Sequence, residues 1–178
     1  GDKNVLWKST EAGGRSTPIV MNGKIYTIVR DQVGTKKEGE KVVCLDAATG
    51  KEIWTDSYEA AIVDYLHEGG PCSTPTVDGD TVYTISKDGR LIAYVAKTGK
   101  VLWSKDMMAA AGMKRPPEWG FAGSPYVLGK ALIIEAGNTF AIDKKTGKEI
   151  WRSRKYRHAY GSPTAFVHHD KTLVATLK

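Results

Sequence analysis

The stretch Thr-Gly-Lys-Glu-Ile-Trp stands at residues 49–54 and again, unchanged, at 146–151, with Thr-Gly-Lys-Val-Leu-Trp between them at 98–103. A phrase written three times at even intervals marks a chain built from structural repeats. The tryptophans give the period: Trp7, Trp54, Trp103 and Trp151 are separated by 47, 49 and 48 residues. A small-residue turn ending in proline has the same phase, as "GGRSTP" at 13–18, "GPCSTP" at 70–75, "FAGSP" at 121–125 and "AYGSP" at 159–163. A third marker follows it each time: "VMNGKIYTI" at 20–28, "VDGDTVYTI" at 77–85, "VLGKALII" at 127–134 and "VHHDKTLVA" at 167–175.

Each unit reads as four short strands. The segment after the proline is the first, and a hairpin turn such as Asn22-Gly23 or Asp78-Gly79 leads into the second. A third strand, "KVVCLD", "RLIAYV" or "NTFAID", runs into the repeated phrase, which turns the chain into a fourth strand ending in Trp. Gly50, Gly99 and Gly147 supply the positive φ of that turn. Asp46 and Asp143 are placed to accept its backbone N–H groups, whereas Val95 in the second copy cannot. Each Trp follows another apolar residue, as in Ile53-Trp54, Leu102-Trp103 and Ile150-Trp151. Strict alternation along a strand then predicts a sheet covered on both faces. Four strands, a period near 48 and two covered faces describe a propeller blade between two others. The repeated Trp is read as inter-blade packing rather than as a platform for stacking a sugar or cofactor.

These residues resemble the pyrroloquinoline-quinone-dehydrogenase-like propeller repeat, in which a turn of the form Asp-x-x-Thr-Gly-Lys-x-x-Trp docks successive blades. The finer texture is similar to bacterial envelope propellers of the quinoprotein-like and BamB-like kind. The resemblance implies an all-β propeller of four-stranded antiparallel blades in a seven- or eight-bladed ring, located in the periplasm or outside the cell. The expectation is a single partial propeller domain over residues 1–178, about half of such a ring. Its units fall at about 16–57, 73–106 and 123–154, with partial units at 1–8 and 161–178. Both ends fall in mid-blade, so an apolar face should be open at each. Either the remaining blades of a longer protein or a second copy would close the ring, and the longer protein is the reading preferred here.

Quinone dehydrogenases of this superfamily commonly hold pyrroloquinoline quinone with a pair of adjacent cysteines, a stacking Trp and a bound calcium ion. The two cysteines here, Cys44 and Cys72, are not adjacent and match no zinc spacing. The expectation is therefore no cofactor and no metal, and a non-catalytic binding or scaffolding role, with a quinone- and calcium-dependent oxidoreductase as the alternative. "VHHD" at 167–170 looks like a metal cluster in isolation, but its phase puts it at a hairpin turn.

The connections from the fourth strand of one unit to the first of the next are the longest, as functional loops are. They carry the candidate binding residues Arg15, His67, Glu68, Trp119, Arg157, His158 and Tyr160, beside Lys114, Arg115 and Glu118. Their aromatic and charged character suits a protein or a polar ligand. The run 30–41 reads as a mobile surface loop, and "MMAAAGM" at 107–113 as a short helical turn. Net charge is +6, but the 26 Lys and Arg residues are scattered, which speaks against nucleic-acid binding. No apolar run approaches the ~20 residues of a membrane-spanning helix.

Overall fold

The computed structural model describes residues 4–10, 12–60 and 70–177. Three four-stranded antiparallel sheets follow one another, each in plain up-and-down order. The first holds β1 (Ile19–Met21), β2 (Lys24–Asp31), β3 (Gly39–Asp46) and β4 (Glu52–Glu59). The second holds β5 (Thr76–Asp78), β6 (Thr81–Ile85), β7 (Arg90–Val95) and β8 (Val101–Asp106). The third holds β9 (Tyr126–Leu128), β10 (Ala131–Glu135), β11 (Thr139–Asp143) and β12 (Glu149–Arg152). A two-stranded sheet, β13 (Thr164–His168) and β14 (Lys171–Ala175), begins a fourth unit. A helical turn, α1 (Met107–Ala110), is capped by Asp106, whose Oδ1 accepts the Ala109 N–H at 2.8 Å.

Stacking of the sheets makes this a partial β-propeller. The inner strands β1, β5 and β9 lie side by side. The proline turns join them: the Thr74 N–H donates to Ser124 Oγ at 2.8 Å, and the Ser124 N–H to Ser162 Oγ at 2.9 Å. Sheet faces then meet as apolar layers. Tyr26, Ile28, Val42, Cys44 and Trp54 of the first blade pack on Val82, Ile92 and Tyr94 of the second. Tyr83, Ile85, Leu91 and Ala93 of the second blade pack on Leu132, Ile134, Phe140 and Ile142 of the third.

The repeated phrase is the joint between blades. The indole N–H of Trp54 donates to the Ala96 carbonyl at 2.9 Å, and that of Trp103 to Lys144 at 3.1 Å. Trp7 does the same to Ala47 at 3.0 Å. Each Trp thus docks on the turn of the following blade, where the glycine lies under its ring. A methyl group on Gly50, Gly99 or Gly147 would stand 2.5, 2.6 or 2.8 Å from the indole of Trp7, Trp54 or Trp103. All three glycines have φ of +71°. Gly99→Ala should therefore cost about 1–2 kcal/mol in backbone strain, beyond any clash. Combined with Trp54→Ala in a denaturation cycle, the double variant should lose less than the sum of the singles.

The turn chemistry follows the residues. Asp46 Oδ1 accepts from the N–H groups of Ala48 and Thr49 and from Thr49 Oγ1, and Asp143 does the same for Lys145 and Thr146. At Val95 the turn relies on its backbone carbonyl, which accepts from Thr98 and Gly99.

One expectation is corrected. Strict alternation fails at the end of the phrase, because each outer strand carries a β-bulge there. Trp54 pairs with Cys44 and Glu52 with Leu45, which leaves Ile53 as the extra residue. Leu102 and Ile150 are the extra residues of the other two blades. All three sit on the outer edge, 41–51% exposed. The run 30–41 is strand only at its two ends, where β2 and β3 extend into it. What remains is tied by Glu38, which accepts from Arg30 and from the Gly34 N–H.

The open faces are unequal. On the first blade, Val29, Val43 and Leu45 are buried, with Trp7, Ala12 and Ile25 packed against them. At the other end, Trp151, Phe166 and Leu173 are 44%, 49% and 39% exposed.

Candidate functional site

The first and last turns of each blade, at 22–23, 46–51 and their counterparts, lie at one end of the strands. The other end, the upper face, gathers the β2–β3 type connections and the chain segments that pass from blade to blade. Two of these segments, residues 107–125 and 153–163, lie against each other over the top of the third blade. A cleft of about 940 Å³ opens between them. Lys114, Arg115 and Glu118 stand on one wall, Lys155 and Tyr156 on the other, and His158 lines its inner end.

The walls are pinned to the blade by backbone bonds. The Tyr156 N–H donates to the Gly137 carbonyl at 2.8 Å, and the Ser153 N–H to Thr139 at 2.9 Å. Asn138 Nδ2 donates to the Ser153 carbonyl at 2.9 Å, and Tyr156 Oη shares a 2.9 Å hydrogen bond with Thr139 Oγ1. On the facing wall, the Phe121 N–H donates to the Lys87 carbonyl at 2.9 Å.

A buried acid–imidazole pair lies behind the cleft. Glu135 Oε2 is 3.1 Å from His158 Nδ1, and the glutamate side chain has no solvent exposure. Burial raises the Glu135 carboxyl to about 7, against the opposing pull of the Gly137 and Ala159 N–H groups. Burial also lowers His158 below its ordinary value of 6.5, partly offset by the Gly120 backbone. Both shifts favour uncharged forms, a protonated Glu135 below about pH 7 and a neutral imidazole. An NMR pH titration should therefore place the His158 midpoint below 6.5. The stability that its neutral form contributes is lost as pH falls from 6.5 through that midpoint.

Aromatic rings surround the imidazole. Phe121 and Tyr160 meet it edge-on at 5.4 and 5.3 Å. Trp119 stacks on Tyr160 at 5.4 Å, and these two rings remain 47% and 38% exposed. Of the candidate residues, the fold thus brings together Trp119, His158 and Tyr160. Arg157 is exposed on the same connection, and Arg15 is exposed beside the first blade, two blades away. His67 and Glu68 lie outside the described residues. His168 and His169 sit at the β13–β14 hairpin turn, where His169 and Asp170 have φ of 45° and 60°.

Sequence reasoning passed over Glu135, although the repeat carried a signal for it. Strand register aligns Glu135 with Ile28 and Ile85, both fully buried. It likewise puts Thr139 where the other blades have Val42 and Leu91. A carboxylate at a buried aliphatic position of one copy alone marks that boundary as different. Glu40 was missed too. It is fully buried between the first two blades, where it accepts from the Lys87 N–H at 3.1 and 3.3 Å and from Tyr58 Oη at 3.2 Å.

Fold and cleft define a class: a propeller segment with apolar blade joints, buried carboxylates set into them and its irregular connections on a single face. The family described as outer membrane protein assembly factor BamB matches residues 2–176, and the chain belongs to it. The dehydrogenase subunit of the quinone alcohol dehydrogenase of Gluconobacter oxydans is 33% identical over 156 residues, which is 80% of this chain and 19% of that protein. Quinohemoprotein alcohol dehydrogenase ADH IIB of Pseudomonas putida is 34% identical over 155 residues, 79% of this chain and 20% of its own. The chain spans about a fifth of the length of these curated relatives. Among solved structures, the quinohemoprotein alcohol dehydrogenase of Comamonas testosteroni is similar with a TM-score of 0.56 at 25% identity, over 80% of this chain and 21% of that one. BamB of Moraxella catarrhalis shares the fold, with a TM-score of 0.51 at 21% identity over 74% of this chain and 33% of that one. Among the described residues, no helix is long and apolar enough to cross a membrane.

Proposed function

We propose that this chain is part of a non-catalytic binding propeller of the bacterial envelope, which takes its protein or polar ligand on the upper face. One observation carries the reading: the cleft between residues 107–125 and 153–163, rimmed by exposed charged and aromatic side chains whose backbone is held in place by the blade below. Sites of this size, with walls formed before the ligand arrives, are what binding modules offer. Further blades or a second copy would close the ring over Trp151, Phe166 and Leu173.

The second reading is a quinone-dependent dehydrogenase, favoured by the names of the curated relatives. The described residues do not fit a quinone–calcium centre. Cys44 is buried in the joint between the first two blades, and Cys72 lies on a connection, its Sγ 3.9 Å from the Gly70 carbonyl. Glu40 and Glu135 belong to different blade boundaries, and each accepts backbone N–H groups. Among the described residues, no three His, Cys, Asp or Glu side chains are grouped as metal ligands.

The experiment is a titration of the chain with pyrroloquinoline quinone, with and without calcium, followed by absorbance after gel filtration. The expected outcome is no quinone retained in either condition. A calcium-dependent quinone band eluting with the protein would overturn the binding-module reading in favour of the dehydrogenase.

A further inference from the structure

The upper-face cleft has a sign. Its walls present three exposed cations, Lys114 and Arg115 on one side and Lys155 on the other, against a single exposed carboxylate, Glu118. The acid behind it, Glu135, is buried and held mostly uncharged below pH 7, so it cancels little of that charge. Arg154 and Arg157 flank Lys155 on the same exposed connection. Just outside the cationic walls lies the half-exposed Trp119–Tyr160 stack, joined to the inner end of the cleft through His158.

Resting on the binding-module reading, we infer that the cleft takes an acidic, extended peptide segment, with its carboxylates on Lys114, Arg115 and Lys155 and an apolar side chain against the Trp119–Tyr160 pair. A guanidinium offers a carboxylate two parallel N–H donors, which an ammonium does not, so Arg115 is the orienting contact. Pro116 and Pro117 contribute no backbone N–H to that wall, so side chains carry more of the recognition there. The 153–156 wall is already tied to the third blade through Gly137, Asn138 and Thr139, and the facing segment to the second blade through Phe121 and Lys87, so less ordering opposes binding. The aromatic pair adds rigid apolar area at the edge of a charged groove, which suits a peptide carrying both kinds of side chain.

The test is fluorescence anisotropy with a labelled hexapeptide of four glutamates and two phenylalanines. Unlabelled heparin and a lysine-substituted hexapeptide serve as competitors. The expected result is saturable binding that weakens as salt rises. Affinity should fall at least tenfold in the triple variant Lys114→Glu, Arg115→Glu, Lys155→Glu. It should stay within twofold in Lys97→Glu, Lys100→Glu, which makes the same kind of charge change on the turn face. Trp119→Ala should weaken the phenylalanine peptide but not an all-glutamate one.

No binding of the acidic peptide, or equal loss in the turn-face variant, would overturn the inference. Tight binding of heparin that the triple variant abolishes, with no peptide binding, would overturn the ligand class and leave the binding module standing. Circular dichroism of each variant shows whether it is folded. If the triple variant fails to fold, the single variant Arg115→Gln carries the test, with a loss of at least threefold expected.

Discussion

Replacing Trp54 with alanine is expected to lower the unfolding free energy by about 3–5 kcal/mol, the range for truncating a buried aromatic. The indole is 8% exposed, donates its N–H to Ala96 of the next blade and lies over Gly99. Its loss would open a cavity in the joint between the first two blades and leave that carbonyl with Tyr26 Oη, at 3.2 Å, as its remaining side-chain donor. Trp151 is the internal control. It has the same place in the repeat but is 44% exposed, so Trp151→Ala should cost under about 1.5 kcal/mol by lost burial alone. Urea denaturation of the two variants decides the matter. Equal losses would mean that the repeated Trp stabilises its own strand rather than the blade joint.

Glu40→Gln is expected to make the chain more stable at pH 8 and little different at pH 4.5. Burial raises the Glu40 carboxyl from its ordinary 4.5 to about 7, against the Lys87 N–H bonds that pull it down, with Asp88 adding to the rise. A raised acid contributes stability that is fully present below its unfolded pKa and lost as pH climbs through its folded one. Wild-type stability should therefore decline between about pH 4.5 and 7 on this account. Each pKa unit corresponds to about 1.4 kcal/mol, so the full effect is about 3 kcal/mol. Glutamine keeps one oxygen for the Lys87 N–H, and the Tyr58 hydroxyl can turn to accept from its amide. Denaturation midpoints at pH 5 and pH 8 should converge in the variant by that amount. Parallel pH profiles for the two proteins would show that Glu40 ionises on folding as easily as it does in water. Glu135 acts in the same direction and should leave a smaller decline in place.

Much of the architecture is legible along the chain because the forces that make a blade are local. Asn22-Gly23, the Asp46 and Asp143 turns and the phase of the tryptophans need only neighbouring residues and a period. Ile53, Leu102 and Ile150 were misread because alternation assumes an unbroken ladder, and a bulge adds one residue without any residue type to announce it. Glu135 looked like the end of a strand until the three copies were laid in register, where it replaces a buried isoleucine.

The sequence by itself determined the blade: its four strands, its turn chemistry, its period and the positive-φ glycine of each turn. Only the tertiary structure decided what meets across blades. Trp54 reaches a turn more than 40 residues away, and Glu135 faces His158 from a different segment. Lys114 and Lys155 come to opposite walls of one cleft. These meetings depend on the rotation between successive sheets. That rotation is set by the summed packing of whole apolar faces, so no local stretch of residues encodes it.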